Sequence, residues 1–419
     1  MSYSGRAEVR QNAPLDRLIA PDITNPEAPL HYDPVIIAKT ADALINSLRL
    51  KGGDKLLIFG HTQAEELASA ATIRAEAVSA SVVPLLYTPT QEAAFIASAS
   101  QKKLNRFVAD QTTALKGITH TLNVRAGRTP TAYSVVDPEK MGKFTLSRGD
   151  FFRAITESRW TRIDLPVPEE GYLTGIAWQE YYSMIMQAFN RPWEKVREAQ
   201  STLVKLLQGD RLDIFIRPDN PLFTTQLTMS VKGMIPANSV IDRNFPGSEV
   251  FYAPVRGTLE GKMGIAYPSK FGDYILPNLI LYWKKGEVVG YVVDGNTYDP
   301  RVEATLLAHK SKDFNQPKVE AGEVALGTNP ALYKPVGNPL CAEKALGIHV
   351  AIGNAYKETD YEGQIVRLDN GVEANSHTDV VVPTRGTHST IAVDGNVIQA
   401  NGHFLHPDLA VLNSTYSSY

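Results

Sequence analysis

The sequence predicts an α/β N-terminal domain, with a parallel sheet flanked by helices, followed by a mostly antiparallel, β-rich (α+β) C-terminal domain. Helical periods alternate with short apolar strands as far as about residue 205, the pattern of βαβ units. Beyond Arg211 strand signals follow one another with few helices between them, punctuated by Gly, Pro and Asn. A chain of 419 residues also exceeds what one hydrophobic core organises. The expected division is therefore an arm, 1–33, rich in Pro, Asn and Asp, an α/β domain, 34–205, and a β-rich domain, 206–419.

Ile37, Ala41, Leu44, Ile45 and Leu48 recur at helical spacing, so the first helix runs from Pro34 to about Leu50. Lys51-Gly52-Gly53-Asp54 is a turn, and Lys55 to Gly60 a buried strand. An alanine-rich helix from Gln63 to about Ser79 leads to an apolar strand over Ser81 to Thr88. Arg106 to Asp110 is the candidate third strand. The turn Phe59-Gly60-His61-Thr62 has no G-x-G-x-x-G and no Walker lysine. A phosphate-bearing cofactor is not expected there, and His61 reads as a turn residue. Trp178, Tyr181, Tyr182, Ile185 and Phe189 form an aromatic stripe on one helix, a packing signature. A second helix covers Trp193 to Leu207.

In the second half, short strands are read at Asp213–Ile216, Leu227–Lys232, Glu249–Val255, Lys262–Tyr267 and Val288–Val293. They continue at Val324–Leu326, Ile348–Ile352, Val380–Val382 and Thr390–Ile398. Lys284-Lys285-Gly286 reads as a hairpin tip, and His406 to Tyr419 carries no motif.

Hydrophobic residues make up 43% and charged residues 21%, with a net charge of −3. Nothing in that balance points to nucleic acid or an anionic membrane as partner. The single cysteine, Cys341, excludes an intrachain disulfide and a thiolate metal cage, and favours a reducing compartment. The N-terminus lacks the apolar core of a signal peptide, and no window reaches 18 apolar residues. A cytoplasmic protein is expected.

The candidate functional residues all fall in the β-rich half. His377 and Asp379 stand two apart at the head of a strand and so share a face, an imidazole beside a carboxylate. Alone, such a pair is more often structural than metal-binding. Glu249 follows the turn Phe245-Pro246-Gly247-Ser248. Glu323 and His349 sit inside apolar strands, where burial of a charge needs a partner or a metal. Glu343 lies in Cys341-Ala342-Glu343-Lys344. Singly, Glu249 and Glu343 read as exposed or ion-paired side chains; as a set of six, a shared metal centre is the better reading.

These motifs, in this order, resemble the aminopeptidase T and aminopeptidase S type of bacterial metallo-aminopeptidase, over roughly Pro34 to Ile398. The landmarks are Leu50 to Ile58, Leu227 to Gly233, Asn244 to Pro254, Gly322 to Gly327, His349 to Tyr356 and Asn375 to Asp379. The resemblance implies two divalent ions (Zn, Co, Mn or Mg) on Glu249, Glu323, Glu343, His349, His377 and Asp379. Tyr356 would match the family's active-site tyrosine, and the apolar flanks of Glu323, which suggest the deepest position, make it the expected bridging carboxylate. The resemblance also implies peptide substrates with a free N-terminus, and a homodimer. Two departures stand out. The first motif reads Pro-Gly-Ser-Glu where the family more often has Pro-Asp-Gly-Glu, and Glu343 precedes His349 by six residues, one more than the family leads one to expect. Two other readings stay open. A related branch resembles a mononuclear iron dioxygenase that cleaves hydroxylated pyridine rings, and keeps the H-x-D but not the glutamate of the Glu249 motif. The scaffold could also serve a non-peptidase binding protein.

Overall fold

A computed structural model describes residues 30–127, 132–272, 274–312 and 317–414. The expected arm, 1–33, lies almost wholly outside them. A five-stranded parallel sheet runs in the order Ser81–Tyr87, Lys55–His61, His120–Arg125, Arg159–Asp164, Arg243–Phe245. Leu56 and Ile58 point into the main core, which also takes the inner faces of helices Pro34–Leu48, Glu65–Ala77 and Trp178–Phe189. Leu57 and Phe59 point the other way, against Leu115 and Phe151. Both faces of the strand are thus apolar and covered, as a parallel sheet requires. Pro84 is accommodated because Ser81–Tyr87 is an edge strand.

The third strand is not where the sequence places it. Arg106 to Asp110 lies within the helix Gln101–Ala114, whose buried residues Leu104, Val108 and Gln111 are spaced four and three apart. That helical period outweighs the short apolar run Phe107-Val108-Ala109. The strand is His120–Arg125. His61 ends a strand rather than standing in a turn; it is buried, and its Nδ1 accepts the Ala126 N–H at 3.2 Å.

The second half contains an eight-stranded and a five-stranded antiparallel sheet. Lys285 and Gly286, both at positive φ (51° and 76°), form the two-residue tip between Leu279–Lys284 and Glu287–Val292. The motif-free tail is an ordered element as far as it is described. Pro407–Leu412 is a 3₁₀ helix with Leu409 and Leu412 buried, and Arg191 donates to the carbonyls of Val411 and Ser414.

The five-stranded antiparallel sheet runs His377–Pro383, Gly347–Gly353, Ala321–Gly327, Glu249–Tyr252, Ala237–Ser239. Val250, Val324, Leu326, Ile348, Val350, Ile352, Val380 and Val382 join the main core. The alternate residues share the other face. Across the ladder Glu249 lies opposite Gly327, Glu323 opposite Ala351, Asp379 opposite the same Ala351, and His377 opposite Gly353. His349 lies between Ala325 and Val381. Five charged or imidazole side chains therefore rise from one face, with glycine and alanine between them.

Candidate metal centre

Local backbone features aim each of these groups. The pairing of Ala321–Gly327 with Gly347–Gly353 slips by one residue at Gly322, a bulge immediately before Glu323. A Cβ at Gly322 would stand 2.3 Å from the Gly353 carbonyl oxygen, so the close approach requires glycine. Before Glu249, the left-handed position falls on Ser248 (φ 55°), and a Cβ at Gly247 would stand 2.5 Å from the Val240 carbonyl. The displaced glycine of the motif thus serves a close approach, while Ser248 carries the turn. Gln200, fully buried, donates to the Glu249 carbonyl at 2.8 Å and to Ser239 O and Asn238 Oδ1 at 3.0 Å, which fixes the start of that strand.

Glu323 stands at the centre. Its Oε1 is 3.0 Å from His349 Nε2 and its Oε2 is 3.4 Å from His377 Nε2. His377 Nε2 is also 3.4 Å from Asp379 Oδ1, and His349 Nε2 is 3.6 Å from Glu249 Oε2. Two groups of ligand atoms result, Glu249–Glu323–His349 and Glu323–His377–Asp379, each within 4.8 Å, and Glu323 belongs to both. His377 Nδ1 donates to the Asn354 carbonyl at 2.7 Å. A carbonyl only accepts, so in the neutral ring Nε2 carries the lone pair, turned toward two carboxylates. That tautomer and that backbone partner are what a metal-ligating histidine needs. His349 Nδ1 is buried and has no hydrogen-bond partner among the described residues.

The charges are strongly interdependent. Burial alone would depress His349, but the Glu323 hydrogen bond and the surrounding carboxylates outweigh it and raise its pKa to about 9. Burial opposes ionisation of Asp379 and Glu323 as well, yet their imidazole neighbours hold both below the ordinary carboxylate range. Buried oxygens and imidazole nitrogens converging in this way fit a hard or borderline divalent cation.

A cavity of about 230 Å³ is lined by Glu249, Glu323, Glu343, His349, Tyr356, His377 and Asp379, so every residue singled out from the sequence reaches it. Glu343 differs from the other five metal candidates. It follows the short helix Pro339–Ala342, and its carboxylate is paired with Lys344 at 2.7 Å; it belongs to neither ligand group. Burial raises its pKa to about 8 despite Lys344. Lys344 itself, 1% exposed at the side chain, also meets Glu249 Oε1 at 2.5 Å. The sequence reading passed over this lysine, although a Glu-Lys pair inside Cys341 to Leu346 was its signal. Arg162, on the cavity wall and paired with Asp164, was missed too. Tyr356 packs its ring 5.2 Å from that of His377. Although Tyr356 is 37% exposed, the desolvation of its surroundings, then Glu323 and Asp379, raise its pKa well above the usual tyrosine value, so its hydroxyl stays a donor.

The sequence profile of the thermophilic metalloprotease (M29) family matches residues 36–396. The chain belongs to this family. A search of curated protein sequences finds no match. Among solved structures, wild-type AmpT from Thermus thermophilus is similar in fold, with a TM-score of 0.67 at 19% identity, over 89% of this chain and 99% of that one. The resemblance drawn from the ordered motifs is borne out, as is the fold class. As an M29 metalloprotease the protein is a metal-dependent peptide hydrolase, and the two groups around Glu323 are its candidate ligands.

Proposed function

We propose that this metalloprotease is an aminopeptidase, releasing N-terminal residues from peptides with the help of two divalent ions. The observation that carries the reading is Glu323, shared between two adjacent ligand groups of carboxylate and imidazole. Glu249 and His349 complete one seat, His377 and Asp379 the other. Ions held there would supply a water of lowered pKa and a Lewis acid for the scissile carbonyl.

The chain's own groups do the rest. The carboxylates of Glu323 and Asp379, held ionised by their imidazole neighbours, make the cavity attractive to an N-terminal ammonium. At about 230 Å³ it is small beside the roughly 300–1,000 Å³ of drug-sized sites, and suits a chain end. Tyr356, kept protonated, donates to the developing oxyanion. A second cavity of about 450 Å³ also borders on Glu343, His377 and Asp379, and its Phe271, Leu279 and Val380 offer an apolar compartment for a substrate side chain. The same reading makes the protein a cytoplasmic homodimer without nucleic-acid or membrane partners. It rests on the family resemblance and the composition; among the described residues no helix is long and apolar enough to cross a membrane.

Glu323→Gln tests the proposal. The variant is expected to keep its circular dichroism and lose at least about 10³-fold in cleavage of a peptide with a free N-terminus. The wild type is expected to leave the N-acetylated peptide intact. Full activity in the variant, or equal cleavage of the two peptides, would defeat the reading.

A further inference from the structure

We propose that Lys344 makes the two cation seats unequal, so that the chain holds one divalent ion tightly at Glu323–His377–Asp379 and a second only weakly at Glu249–Glu323–His349. This rests on the metallopeptidase reading above and concerns how this chain loads its ions.

The Lys344 ammonium is itself a cation seated between two acidic groups of the cavity. Its Nζ lies 2.5 Å from Glu249 Oε1 and 2.7 Å from Glu343 Oε1, and its side chain is 1% exposed. A buried ammonium cannot give up such partners without leaving a charge uncompensated. Glu343 is thereby committed to the lysine. Glu249 is committed through one oxygen, and only Oε2, 3.6 Å from His349 Nε2, remains to face an ion. An ion on Oε2 confronts the ammonium across a single carboxyl group, where two positive charges repel through a weakly screening interior.

Among the described residues, no lysine or arginine pairs with the ligands of the other seat. Glu323 and Asp379 face His377 and His349. Arg162, a strongly basic residue that lines the cavity, is held by Asp164 at 2.9 and 2.5 Å. His377 is turned by the Asn354 carbonyl so that Nε2 faces this seat. Asp379 faces the His377 imidazole, at 3.4 Å, and the Glu343 carboxyl rather than a lysine or arginine. The backbone explains why the lysine is placed as it is. Glu343 caps the helix Pro339–Ala342 and Lys344 follows directly, where the chain turns into the strand Gly347–Gly353.

Calorimetric titration of metal-free protein with Mn²⁺ tests this, with electron paramagnetic resonance at one and two equivalents as a readout independent of activity. The wild type is expected to take one ion tightly and a second at least about tenfold more weakly, with an isolated-ion signal at one equivalent. In Lys344→Met the second affinity is expected to rise at least about tenfold, and spin-coupled ions to appear at lower loading. Two ions of equal affinity in the wild type, or an unchanged second affinity in Lys344→Met, would overturn the role of Lys344 and leave the metallopeptidase reading standing. Absence of any ion from both proteins would overturn both. If Lys344→Met does not fold, Lys344→Gln, which keeps a hydrogen-bond donor without the charge, takes its place with the same gain expected.

Discussion

Tyr181 donates a hydrogen bond to Glu170 at 2.8 Å, and burial raises that carboxyl's pKa from 4.5 to about 8. A folded-state pKa above the unfolded one means that the stabilising contribution is complete below pH 4.5. It is lost as the pH rises through about 8, because the unfolded chain ionises the group freely while the folded chain resists. Chemical denaturation of wild type and Glu170→Gln across that range should show the wild type losing about 3–5 kcal/mol relative to the variant. A pH-independent difference would refute the assignment. The legibility of the candidate centre also divides at this scale. His377 and Asp379 could be paired on paper because two residues of extended strand bring them to one face. Lys344 could not, because its partner Glu249 lies 95 positions away and meets it only through the fold. The departure in spacing between Glu343 and His349 marked the right place, but gave no sign that the neighbour of Glu343 would be a buried cation.

The strand Ala321–Gly327 shows what an element adds. Its apolar run was readable, and so was the burial of Glu323. The bulge at Gly322 was not, since register is decided by the partner strand. Gly322→Ala is therefore a test of the strand rather than of the ligand. Its Cβ meets main-chain atoms of Gly353 and Asn354, which cannot swing aside as a side-chain end would. The variant should lose about 1–3 kcal/mol of stability in denaturant titration, and metal affinity should fall with it, although no ligand has changed. Unaltered stability and metal content would show that the bulge does not aim Glu323. The same dependence on partners explains the misplaced third strand. In His120–Arg125 polar and apolar side chains alternate, which hides a central strand, while Phe107-Val108-Ala109 looks extended until Leu104 and Gln111 reveal the helical face.

At the scale of the whole molecule, the α/β and β-rich parts meet around the cavity. The last strand of the parallel sheet, Arg243–Phe245, comes from the stretch leading into Glu249, so the sheet ends just before a candidate ligand. The first half also contributes Arg162 to the cavity wall, and ties to the second through Arg159 and Glu362 at 2.5 Å. The alternation of the two fold classes was legible from periodicity; their junction was not, because a three-residue strand carries no periodic signal. The proposed activity depends on divalent ions held at this junction. Its most direct test is to strip the protein with a chelator, reload it with Zn, Co, Mn or Mg, and follow bound metal together with release of the N-terminal residue from leucine and arginine amides. Hydrolysis should vanish on stripping and return in step with bound metal. Undiminished hydrolysis by metal-free protein would contradict the account.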